Sequence, residues 1–290
     1  MLVFAPTEAK AQACCAAASA VTPARLSLHE RWLAGLELRA QGVLGAYGAH
    51  GGFVSVPDGA SEQGFTASLL AAARVTRRLQ LAGVVPWQET RRVAPERGEV
   101  GGGFGDVNVG ARYDFVHEHE YRRWPGVAVL VGTSLPTGRA PERAQKPLAT
   151  DATGIGAVQM HAAVALEKRF GHWLVGATGL VAQRLPRTVD GLSTTLGTQL
   201  SALANVSYLF PNLAAAALSA VWSREGDATI DQALQRNTGR SALQLAAAGV
   251  YPLSSRVRLQ GSAFVTPPAA FFGANQDAVA GGSVAALVAF

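Results

Sequence analysis

Residues 106–116 read DVNVGARYDFV. Val107, Val109, Ala111, Tyr113 and Phe115 fall on one side of an extended chain, and Asp106, Asn108, Arg112 and Asp114 on the other. The segment is a strand with one apolar face and one charged face. A half-buried strand of a soluble sandwich has the same alternation, so the connections between such segments have to decide the fold.

Twelve segments of this kind succeed one another: 33–47, 65–75, 79–88, 106–116, 126–135, 157–168, 172–184, 198–210, 213–223, 241–251, 256–265 and the terminal 281–290. Their links alternate in length. The stretches 48–64, 92–105, 136–156, 185–197, 224–240 and 266–281 are long, whereas Arg77-Arg78, 117–125, Phe170-Gly171, Pro211-Asn212 and 252–255 are short. Long loops at one end and short turns at the other mark an up-and-down transmembrane barrel, in which closure leaves no backbone N–H unpaired in lipid. The expected fold is all-β, an antiparallel outer-membrane β-barrel of about twelve strands spanning residues 32–290.

Composition agrees. Charged residues are 16% of the chain, below the roughly 25% of soluble domains, yet no apolar run approaches the ~20 residues of a membrane helix. The uncharged stretch 191–223 is divided by Pro211-Asn212 and carries polar residues at even spacings, which favours two strands over one helix. A net charge of +5 raises nucleic acid as a partner, but the arginines are scattered rather than gathered in a patch, and that reading is rejected. Adjacent Cys14 and Cys15 are the only cysteines, so a disulfide framework and a Cys-based zinc cage are excluded.

The opening residues MLVFAPTEAKAQACC carry small-x-small cleavage patterns at 9–11 and 11–13 but no basic n-region. They read as the remnant of a signal peptide over 1–13, with the true start codon upstream. Residues 14–31 are then a periplasmic segment and a candidate plug. At the other end, Val284, Ala286, Val288 and Phe290 share an apolar face to the last residue. The terminal strand is expected to pair with the first as the seam of the barrel.

By parity the lumen receives Glu37, Arg39, Arg74, Arg112, Asp114, His161, Glu167, Arg184, Glu225 and Arg258, interspersed with Leu70, Val84, Leu130, Leu180 and Leu203. Such an interior suits a narrow path for a small amphipathic solute; charges that pair across the lumen and close it are the alternative. Trp87, Tyr113, Trp173, Tyr208, Trp222 and Phe290 stand near segment ends and are the candidate interfacial anchors, where an apolar ring and a polar tip straddle the headgroups.

The stretches GGGFGDVNVGARYDF, GVAVLVGTSLPTG and VALEKRFGHWLVGATG resemble the outer-membrane barrel family associated with meta-pathway phenol degradation. The resemblance implies a barrel in the outer membrane and uptake of small, often aromatic, compounds. By resemblance to outer-membrane barrels generally, Phe290 is also the tag read by the barrel assembly machinery.

Other chemistry is weak. GGGFG lacks the strand before and helix after that a phosphate-binding loop needs. His117 and His119 of HEHE offer two imidazoles in a short turn, better read as solvated, and no Gly-x-Ser-x-Gly motif is present. The expected protein is a channel or transporter for passive movement of small solutes, with outer-membrane lipid and the assembly machinery as partners. No catalytic residue, metal or cofactor is expected. A closed structural or adhesion barrel and, further off, an outer-membrane enzyme are the alternatives.

Overall fold

The computed structural model describes residues 25–118, 120 and 123–290. The signal-peptide reading of 1–13, Cys14, Cys15 and His119 lie outside the described residues.

Twelve long antiparallel strands form one closed sheet. They are β1 (Trp32–Tyr47), β2 (Ser61–Arg74), β3 (Leu79–Ala94), β4 (Val107–Val116), β5 (Gly126–Leu135), β6 (Gln159–Phe170), β7 (Trp173–Arg184), β8 (Gln199–Leu209), β9 (Ala215–Glu225), β10 (Arg240–Pro252), β11 (Val257–Val265) and β12 (Gln276–Ala289). Each pairs with its sequence neighbours, and β12 returns to β1 in a register running from Leu33 opposite Ala289 to Tyr47 opposite Gln276. Phe290 finishes the seam, donating its N–H to Trp32 O at 2.9 Å and accepting from Trp32 N–H at 3.1 Å.

The outside is apolar through the middle of every strand. Leu69 and Leu218 are each 62% exposed, and Leu36, Val109, Val131, Val164 and Val284 face outward with them. An apolar belt this extensive is untenable in water. Lipid is the solvent that stabilises it, and a closed barrel satisfies its backbone there without help from water. The molecule is an outer-membrane β-barrel.

Several strands are longer than alternation alone indicates. β2 begins at Ser61, β3 continues to Ala94, and β12 starts at Gln276. The glycine-rich 101–104, expected in a loop, lies within the strand Arg97–Phe104, which folds back on β3 as a hairpin. Above the lipid both faces of a hairpin can be polar, so the backbone ladder extends the strand while the hydrophobic period disappears. The long loops carry further short strands. Phe53–Ser55 pairs with β1, and Arg187–Val189, Leu192–Thr195, Ala228–Ile230 and Ala233–Gln235 form a separate four-stranded sheet.

Inside, small residues keep the barrel narrow. Ala128, Leu130, Ala163 and Ala165 pack together with Leu180, and Leu209, Ala215, Ala217 and Ala248 form a second cluster nearer the short turns. A third joins Leu33, Leu70, Ala72, Ala285 and Leu287 to Leu26, which is not a strand residue. The segment before β1 therefore enters the barrel mouth and adds a leucine to its core.

Candidate functional site

The short-turn half of the lumen is filled by an ion-pair network built on the N-terminal segment. Arg112 on β4 donates to Asp114 at 2.9 Å and to Glu167 of β6 at 3.4 Å. Arg25 donates to the same Glu167. Gln80 of β3 donates to Asp114 at 3.4 Å and accepts the Leu26 N–H at 3.0 Å. Arg74 donates to the carbonyls of Leu26, Ser27 and Glu30 at 2.9, 3.0 and 3.1 Å, and Arg258 pairs with Glu30 at 3.1 Å. Residues 25–30 form no helix or strand, so barrel arginines supply their carbonyls with donors.

Above this network lies a cavity of about 550 Å³. Ala82, Val84, Pro86, Leu130 and Ile155 give it apolar walls, while Gln88, Asn108, Ser134 and His161 add polar groups, and Arg25 and Arg112 form its floor. Its size falls within the ~300–1,000 Å³ usual for small-molecule sites. His161 can lie flat against the wall because position 132 is glycine; a Cβ there would stand 2.5 Å from the imidazole Nε2. Asn108 accepts the Ser134 hydroxyl and donates to Asp106 O at 3.1 Å.

The loop 136–158 descends over the cavity and contributes Ala152, Thr153, Gly154 and Ile155 to its lining. Thr150, Asp151 and Thr153 are buried, unlike ordinary loop residues. The Asp151 carboxylate accepts the N–H groups of Gln145 and Lys146 at 3.0 and 3.2 Å and pairs with Arg139. The Gln145 N–H leads these donors in holding its carboxyl down to about 2, against burial that pushes it up.

The remaining lumen candidates are dispersed. Arg184 pairs with Glu225 at 2.6 Å near the long loops and donates to Gln159 at 2.9 Å. There a second opening of about 480 Å³ is lined by Tyr47, Arg184, Glu225, Arg240 and Asp277. Arg39 stands 3.9 Å from the Phe264 ring centroid, a cation–π contact, with Glu37 two positions before it on β1. Thus Arg112, Asp114 and Glu167 meet directly, Arg74 and Arg258 meet through the N-terminal segment, and the others do not join them.

Of the interfacial candidates, Trp173 and Tyr208 pack edge to face at 5.0 Å, and Tyr113 does the same with Phe115 at 4.8 Å. Trp87, Trp222 and Phe290 are exposed on the outer side. Sequence reasoning missed Arg25, Glu30, Gln80 and the loop residues 152–155. Gln80 and Asp106 had a signal in their inward parity. The loop residues had none, because their placement rests on contacts far along the chain.

Neither a protein-family profile nor a curated protein matches the sequence. Among solved structures, an outer membrane channel from Pseudomonas putida F1 superposes with a TM-score of 0.72 at 14% identity, covering 92% of this chain and 97% of that one. The translocator domain of the autotransporter NalP from Neisseria meningitidis gives 0.47 at 12% identity, over 90% and 88%. The NanC porin gives 0.47 at 10% identity, over 88% and 98%. At these identities the likeness is one of fold, and the first of the three carries it.

Proposed function

We propose that the protein is an outer-membrane channel for small solutes that are largely apolar with one or two polar groups. The observation that supports this is the 550 Å³ cavity, whose apolar walls meet His161, Gln88 and Asn108 inside the barrel. A solute of that kind buries its hydrocarbon against Ala82, Val84 and Leu130 and exchanges water for the polar groups. Small aromatic compounds, the class implied by the resemblance to phenol-pathway barrels, fit this description. No part of the proposal calls on catalysis.

A closed structural barrel is the second reading, favoured by the ion pairs and the Leu26 cluster across the short-turn end. Reconstitution into liposomes separates the two. Swelling with small aromatic or amphipathic solutes that exceeds swelling with sugars of equal size supports the channel. No solute flux, with or without residues 25–30, would leave the structural barrel.

A further inference from the structure

Two short motifs that the channel reading leaves unexplained meet in space. Gly105-Asp106 immediately precedes β4, and Pro136-Thr137-Gly138 follows Leu135, the last residue of β5. Thr137 Oγ1 donates to Gly105 O at 2.8 Å and accepts the Val107 N–H at 2.9 Å. These bonds tie the two strand ends together. Asp106 does something different, because its carboxylate reaches into the loop. Oδ1 accepts the Gly138 N–H at 2.9 Å and Oδ2 accepts the Ile155 N–H at 2.7 Å. One buried side chain thereby closes the loop 139–154 at its base.

A second set of bonds continues the closure. Thr153 donates its N–H to Arg139 O at 2.9 Å, accepts the Arg139 N–H at 3.0 Å on its hydroxyl oxygen, and donates that hydroxyl to Phe104 O at 2.6 Å. Arg187 from the next long loop donates to Ile155 O and pairs with Glu142 at 3.1 Å. Residues 152–155 are thus pinned on three sides, with their remaining side toward the cavity.

We propose that Asp106 is a positioning residue for solute selection: its carboxylate fixes 152–155 as the long-loop-side wall of the chamber and so sets the size of molecule that enters from that end. The inference rests on the cavity being the solute site. The geometry requires a carboxylate, because two N–H donors face two oxygens. An amide offers an oxygen to one and an NH₂ group to the other, so Asp106→Asn loses a bond without losing volume. Asp227 supplies a control for loss of a loop carboxylate's charge alone. Its Oδ1 accepts both the Thr238 and Gly239 N–H groups, at 3.0 and 2.7 Å, so Asp227→Asn removes the charge and keeps both bonds, in a loop that contributes nothing to the cavity.

The test measures access directly. In the full chain carrying Cys14→Ser, Cys15→Ser and Ala82→Cys, folded in detergent, the thiol at position 82 reports arrival of a reagent in the chamber. A compact charged methanethiosulfonate and a bulky fluorescein maleimide are compared. Adding Asp106→Asn should speed the bulky reagent on the order of tenfold, the effect of one lost charge-assisted hydrogen bond, and the compact one much less. Adding Asp227→Asn should change neither. Should Asp106→Asn not fold, Thr153→Val carries the same expectation. Equal rates for the Asp106 and Asp227 variants overturn the proposal, as does a parent that already reacts with the bulky reagent as fast as the free reagent reacts with a small thiol. Solute flux in liposomes is read separately. Faster labelling with no flux in either parent or variant removes the channel and leaves the latch standing.

Discussion

Ala111 and Arg112 are neighbours in sequence with opposite surroundings. Ala111 shares the outer face of the strand with exposed Val109 and Tyr113, and Arg112 is 9% exposed between two carboxylates. Ala111→Arg should cost on the order of 2–4 kcal/mol near the midplane. Charge alternation alone would suggest that Arg112→Gln is harmless. The structure changes that expectation, because the substitution strips a cation from buried Asp114 and Glu167, leaving Gln80 and Arg25 as their remaining partners. A loss of about 1–3 kcal/mol is expected, with most of it recovered when Glu167→Gln is added, since residues of one network do not act additively. Denaturant titration of the folded barrel in detergent measures both. Parity made the inward side of Arg112 legible; the identity of its partners was not, since Glu167 lies on β6 and Arg25 precedes the barrel.

At the scale of elements, the N-terminal segment and the loop 136–158 line the lumen from opposite ends. Glu30 pairs with Arg258, and its Oε2 accepts the Ser27 N–H at 2.6 Å. Removing Arg25 and Glu30 together should release the segment and raise single-channel conductance, while the barrel still forms, because none of the strand ladder depends on them. Unchanged conductance would mean that the packed alanines and leucines close the path by themselves. For the loop, the linkage is set by Asp151. Its folded value of about 2 lies below the ordinary 3.8, so the stabilisation is fully present above the ordinary value and is lost as pH falls toward the folded one. Labelling at position 82, expressed relative to a small free thiol at the same pH because only the thiolate reacts, should be constant from neutrality to about pH 4 and rise below it, as Asp151 protonates. Acceleration already near pH 6 would assign the loop's order to another group. The sequence showed that 136–156 was long; its burial rests on distant contacts such as that of Glu99, which accepts from Thr150 at 2.8 Å across fifty residues of chain.

The whole molecule is one closed ring, so its stability is tied to the β1–β12 seam. Loss of residues 284–290 should leave β1 and β11 with unpaired edges and abolish the faster migration of unheated protein on a gel, whereas Phe290→Ala, which keeps the backbone bonds to Trp32, should slow assembly more than it lowers final stability. Twelve strands and their order were legible in the sequence alone, because lipid outside and a narrow lumen inside impose a period of two that no soluble core requires so consistently. The extension of strands beyond the membrane, the N-terminal segment in the mouth and the loop over the chamber were decided only by tertiary structure. There the stabilising groups are single hydrogen bonds and ion pairs between residues distant in the chain, and such contacts leave no period to read.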